Sequence, residues 1–180
     1  MEYLAWLVNS DMDEQIIVSL SKYLGIAREQ LEEMCVFDST LGVDTKLFID
    51  PKLLTDSAIP EFKDSRGTIL KYFEKLLHAH RLSVSSPRLR VVVKNMLAIK
   101  EPEGLAIGYG KKTDDGTAIP ESLATEMLLS ATEMLSIGVD DAEIMELLGL
   151  FVEGFGPDRM SDLTAHIIYD DLWRFTERIC

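Results

Sequence analysis

The chain has 180 residues, of which 47% are hydrophobic and 27% charged, and its formal net charge is −13. That length can bury one core and that composition is an ordinary globular one, which excludes the disordered and fibrous classes. So acidic a chain does not wrap nucleic acid by overall charge, because neutralising phosphates needs a positive footprint.

No apolar run approaches the ~20 residues that a membrane-spanning helix needs. The start, MEYLAWLVNS, opens with Glu2 and lacks a basic stretch, so it does not read as a secretory signal. Cys35 and Cys180 supply neither metal spacing nor a disulfide framework and read as reduced thiols. The expectation is a cytoplasmic protein with no membrane partner. The expected fold is a single, mainly α domain over 1–180, α+β only through a minor, short-stranded β element. Its helical pair within 1–35 is able to pack as a subdomain.

In chain order, Ser10 with Asp11 and Asp13 predicts a capped helix start, and Ile16, Ile17, Leu20, Tyr23 and Leu24 recur at helical spacing until Gly25 stops them. Ala27 to Met34 predicts a second, short helix, and the pair resembles a helix-turn-helix. Glu29, Glu32 and Glu33 against Arg28 would repel phosphate there. Lys46 to Ile49 is the best strand, ended by Asp50-Pro51. From Pro60, the residues Phe62, Ile69, Leu70, Phe73, Leu76 and Leu77 predict a long amphipathic helix ending before Ser83. Its His78 and His80 lie two apart, on different sides, and make a poor ligand pair.

Arg88 to Lys100 is ambiguous: Val91, Val92 and Val93 favour a strand, whereas Leu89, Val93, Met96 and Leu97 fit one helical face, and helix is preferred. Gly104 to Gly116 reads as a strand entering a glycine-rich loop. It misses the P-loop pattern at Leu105 and Lys112 and the dinucleotide fingerprint at Thr113, so a structural turn or surface loop is the better reading. Pro120 opens a helix through Leu123, Met127, Leu128, Ala131, Met134 and Leu135 that Gly138 closes. Asp140 or Asp141 then caps a short helix with Ile144, Leu147 and Leu148. Pro157 opens a last long helix whose stripe is Met160, Leu163, Ile167, Leu172 and Phe175, with Ile179 near its end.

Charge is split along the chain. Between Lys63 and Lys100 stand Arg66, Lys71, Lys75, Arg81, Arg88, Arg90 and Lys94 against only Asp64 and Glu74, while the last 80 residues are strongly acidic. These cations are candidate partner- or phosphate-binding residues; docking on the acidic half or on an acidic neighbouring subunit is preferred to phosphate binding. The best functional signal runs from Glu153 to Asp171. Asp158, Asp162, His166 and Asp170 recur every four residues, hence as neighbours on a helix, and like charges so placed need a counter-charge. A divalent metal ion could supply it through Glu153, Asp158, Asp162 and His166, of the manganese, iron or zinc type, or magnesium with carboxylates alone. The ridge drifts by about 40° per four-residue step, so no more than two or three of these could share one ion. The alternative is a solvated acidic face with Asp158 at the positive end of the helix dipole and the basic helix as counter-charge; this is the preferred reading.

Phe37-Asp38, the run from Asp44 to Leu54, Gly104 to Gly110, Gly149 to Gly154, Gly156 to Thr164 and Asp171 to Arg178 together resemble the N-terminal part of a group of uncharacterised bacterial proteins. Some members carry a restriction-endonuclease-like region further on, and the resemblance implies a setting of defence against phage. It also implies that related proteins continue past Cys180, so that this chain is a fragment, a short member or one component of a larger system. His166 stands where that pattern has Asn. A PD-(D/E)xK nuclease site is not formed here, because Pro157-Asp158 opens a helix and no acid-x-Lys follows.

The leading expectation is a helical interaction or regulatory domain of a defence-type protein. It would act by self-association, within a larger complex, or on a protein or nucleic-acid partner through the basic 63–100 segment. A small metal-dependent phosphoester hydrolase on the acidic ridge and a helix-turn-helix regulator are the alternatives.

Overall fold

A helix needs its terminal N–H and C=O groups satisfied, and the residues that do so mark the first two helices in the computed structural model of the protein, which describes residues 18–99, 102, 105, 107–108, 119–137 and 144–179. Helix α1 (Leu20–Leu24) starts at Ser19, whose hydroxyl accepts the Lys22 N–H, and ends at Gly25 in the left-handed region, φ 68°. Helix α2 (Arg28–Glu33) starts after Ala27, whose N–H is accepted by Gln30 Oε1 at 2.9 Å, one half of a capping box. The expected start at Ser10 and the stripe residues Ile16 and Ile17 lie outside the described residues.

The Asp38 carboxylate ties this pair to the chain that follows, accepting both the Ser21 N–H and the Ser21 hydroxyl at 2.8 Å. Those bonds hold the Asp38 pKa below its usual value, the Ser21 N–H contributing most. Leu31 is fully buried but stands outside the main cluster of core side chains.

The strand expected over Lys46 to Ile49 does not form. The backbone folds back, with the Leu47 N–H on the Thr45 carbonyl at 2.6 Å, and the Ile49 N–H is taken by the Ser161 hydroxyl at 2.9 Å instead of by a neighbouring strand. Among the described residues, β structure is confined to the isolated bridges Ser19–Thr40 and Thr45–Ile107.

The helix expected from Pro60 is divided. Short 3-10 turns at Leu53–Asp56 and Pro60–Phe62 precede α3 (Ser65–Ser83), which ends where expected. Helix α4 (Pro87–Leu97) settles the ambiguous segment as helix. Burial of Val93 and Leu97 on one face overrides the β preference of the valine run. Tyr72 donates its hydroxyl to the Met96 carbonyl, and Arg90 spans the Ser83 and Val84 carbonyls at 3.0 and 2.9 Å, clamping α3 and α4 into an antiparallel hairpin.

Helices α5 (Glu121–Ser136) and α6 (Ile144–Phe151) follow. The stops expected at Gly138 and at Asp140 or Asp141 lie outside the described residues. The last helix is two, α7 (Pro157–Ile167) and α8 (Tyr169–Ile179), broken at Ile168, φ −100° and ψ 22°. The break serves packing: Leu163 and Ile168 enter the core, while α8 turns Phe175 onto Phe62 at a ring-centroid distance of 5.4 Å. Arg178 then pairs with Glu61 at 2.6 Å.

The core runs through α3 to α7, with Ile69, Phe73 and Leu76 meeting Leu97, Met127, Leu148, Phe155 and Leu163. Full burial stabilises by about 1.5–3 kcal/mol per large side chain, an upper estimate because the unfolded chain is itself partly collapsed. The architecture is mainly α.

Candidate functional site

Helix α6 has the sequence IMELLGLF, with Glu146 its only charge. A helix that is apolar all round belongs in an interior. Here Leu148 is buried, while Leu147, Leu150 and Phe151 face outward, the last two 77% and 63% exposed. Gly149 lets the turn that follows come close, since a Cβ there would stand 3.0 Å from the Phe155 carbonyl oxygen. Gly154, φ 80°, reverses the chain, and Arg159 fastens the reversal by donating to the Gly154 carbonyl at 2.6 Å. Phe155 plugs the core beneath it, and Pro157 opens α7.

Two open clefts flank this turn. One, of about 610 Å³, lies among Leu150, Phe151, Glu153, Asp158 and Arg159. The other, of about 510 Å³, lies between Leu147 and Leu150 on one side and Phe48, Pro51 and Met160 on the other, with Asp50 and Lys52 on its border. Beneath Asp158 lies Gly108, φ 131°, whose N–H bonds the Thr45 carbonyl at 2.8 Å. A Cβ at Gly108 would lie 2.8 Å from Asp158 Oδ1, so glycine lets that carboxylate close over the backbone, with Asp44 Oδ2 at ordinary contact distance beside it. Most of the remaining glycine-rich segment lies outside the described residues.

The acidic ridge is dispersed by the same geometry. Glu153 is exposed on the turn, Asp158 half-buried over Gly108, Asp162 buried at 7% exposure and engaged, and His166 exposed in the last turn of α7. Partial loss of solvent lowers the His166 pKa. Asp170 stands exposed beyond the break, on α8. Among the described residues no three His, Cys, Asp or Glu side chains gather as a metal-ligand group, so Glu153, Asp158, Asp162 and His166 do not form the expected set. The physical reason is that Asp162 is buried while Glu153 and His166 are exposed.

Asp171 is, with Asp162, a carboxylate that the protein encloses, at 8% exposure, receiving the Ser65 hydroxyl at 2.6 Å and Arg174 at 2.5 Å. Sequence spacing did not single it out, because an Asp-Asp pair gives no sign of which member turns inward.

The basic segment is divided in use. Arg90 serves the α3–α4 joint, and Lys94 pairs with Glu121 of α5 at 2.8 Å, which lowers the Glu121 pKa and joins the basic to the acidic half there. Arg66 is half-buried and engaged, as is the exposed Arg81. Lys71, Lys75 and Arg88 project into solvent. In the helix-turn-helix region Arg28 is bound to Glu32 at 3.3 Å, which leaves α2 no cation free for phosphate among its described residues. His80 meets the Thr132 hydroxyl at 2.5 Å, and burial lowers its pKa.

Leu147, Leu150 and Phe151 are the residues that site reasoning missed; the signal was α6's near-complete lack of charge. No curated protein and no solved structure matches the chain. A family model described as a domain of unknown function, DUF8370, matches residues 25–180, and the chain belongs to that family.

Proposed function

We propose that this is a protein-interaction domain whose docking face is the outer side of α6 with its two clefts, and whose partner element is an amphipathic helix with a basic flank. The observation that carries the reading is the exposure of Leu147, Leu150 and Phe151 at positions i, i+3 and i+4 of one helix, the spacing by which helices interdigitate. Leaving such side chains in water forgoes up to about 1.5–3 kcal/mol each relative to burial, a cost that docking removes. Glu153, Asp158 and Asp50 outweigh the Arg159 and Lys52 that line the same clefts, and a basic flank would meet that acidic surplus. In the defence-type setting that the resemblance implies, such a domain would bring an effector under the control of its docked partner.

Fluorescence anisotropy with a synthetic helical peptide carrying Leu at i, i+3, i+4 and i+7 and flanking lysines tests this. Binding is expected for the wild type and at least ~10-fold weaker for Leu150→Glu/Phe151→Glu. No binding, or binding indifferent to that substitution, would overturn it.

A further inference from the structure

Two exposed faces on helices other than α6 complement each other in charge. On α8, the outward side chains are Tyr169, Asp170, Trp173 and Glu177, at spacings of four and seven that put them on one face, with Trp173 56% exposed. This is an aromatic patch set between carboxylates, and neither acidic side chain has an ion-pair partner among the described residues. Arg174 and Arg178 share the exposed side of this helix, but both are already committed, Arg174 to the buried Asp171 and Arg178 to Glu61. On α3, Lys71, Lys75, His78 and Leu82 form an exposed stripe continued by the exposed Val84, with Glu74 the one acid at its edge. Neither lysine has a partner among the described residues.

We propose that α8 of one molecule docks on the α3 stripe of a second copy, head to tail. Trp173 and Tyr169 would cover Leu82 and Val84, and Asp170 and Glu177 would face Lys71 and Lys75. Charge complementarity selects this occupant. The carboxylates of α8 would repel nucleic acid or an anionic lipid surface, whereas a chain of net charge −13 needs a local cationic face to approach itself at all. Tyrosine and tryptophan are the side chains that most often anchor such contacts. Because the two faces differ, the contact is heterologous, and it propagates beyond a dimer unless the rotation closes a ring.

Sedimentation velocity at low salt across a concentration series is expected to show mass rising past the dimer and falling back at high salt. Lys71→Glu/Lys75→Glu and Trp173→Glu should each be monomeric alone, with unchanged melting, and should form a 1:1 dimer when mixed, since one retains the knob and the other the seat. A wild-type monomer at every concentration, association untouched by either variant, or mixed variants that stay monomeric would overturn the proposal. So would a monomer whose Lys71 and Lys75 instead bind a short DNA duplex. Leu150→Glu/Phe151→Glu should associate like the wild type, which separates this contact from docking at α6.

Discussion

Gly108 adopts φ 131° beneath the Asp158 carboxylate, and Gly42 adopts φ 81° in open space. Both backbones disfavour an L side chain, but only one has an obstacle waiting. Gly42→Ala should therefore cost about 1 kcal/mol from backbone strain alone. Gly108→Ala should cost more, towards ~3 kcal/mol, because Asp158 must also move. Urea titrations of both variants, with Asp158→Ala combined with Gly108→Ala, check this; equal costs and no relief in the double variant would show that the contact is loose. Punctuation of the other kind was legible from the chain alone: Gly25 ends α1, and Pro157 opens α7. What stands over Gly108 was not, because Asp158 reaches it across fifty residues of chain.

At the scale of elements, α3 and α8 are pinned by Ser65, Asp171 and Arg174. Ser65 is wholly buried, so Asp171→Ala strands its hydroxyl and should cost about 1–3 kcal/mol, whereas Ser65→Ala leaves the carboxylate to Arg174 and should cost about 1 kcal/mol. The Arg174 side chain is largely exposed, so its own ion pair adds little. Chemical denaturation of the two variants gives the order, and equal losses would mean that Ser65 does not depend on Asp171. Helix identity was readable here, helix continuity was not. Residues 157–179 contain no glycine or proline after Pro157, and the stripe through Met160, Leu163, Leu172 and Phe175 runs on unbroken. The break at Ile168 lets Leu163 enter the core while the half-buried Phe175 meets Phe62, a choice that local periodicity does not contain.

For the whole molecule, acid should act in two stages. His80 and His166 are held below their usual value of 6.5, the first mainly by burial and the second by partial loss of solvent, so the unfolded chain takes up these protons first. Stability is therefore full above about pH 6.5 and falls as pH drops through that value towards the folded pKa values. Asp38, Glu61 and Glu121 are depressed by their bonds to Ser21, Arg178 and Lys94; their contribution is full above the ordinary carboxylate values of 3.8 and 4.5 and is lost below them. Melting temperatures from about pH 7 to about pH 3 should show both falls, and His80→Gln/His166→Gln should flatten only the upper one. An unchanged upper fall in that variant would place the titration elsewhere. By itself the sequence determined the mainly helical class, the starts of α2, α4, α5 and α7 to within a residue, and the split of charge, since these follow from periodicity, caps and composition over a few turns of chain. Tertiary structure alone decided that the Glu153 to Asp171 ridge is dispersed, that Asp171 turns inward, and that α6 keeps an apolar side in water. Each of those depends on which distant element a side chain meets, and the same local pattern serves a buried face and an exposed one equally well.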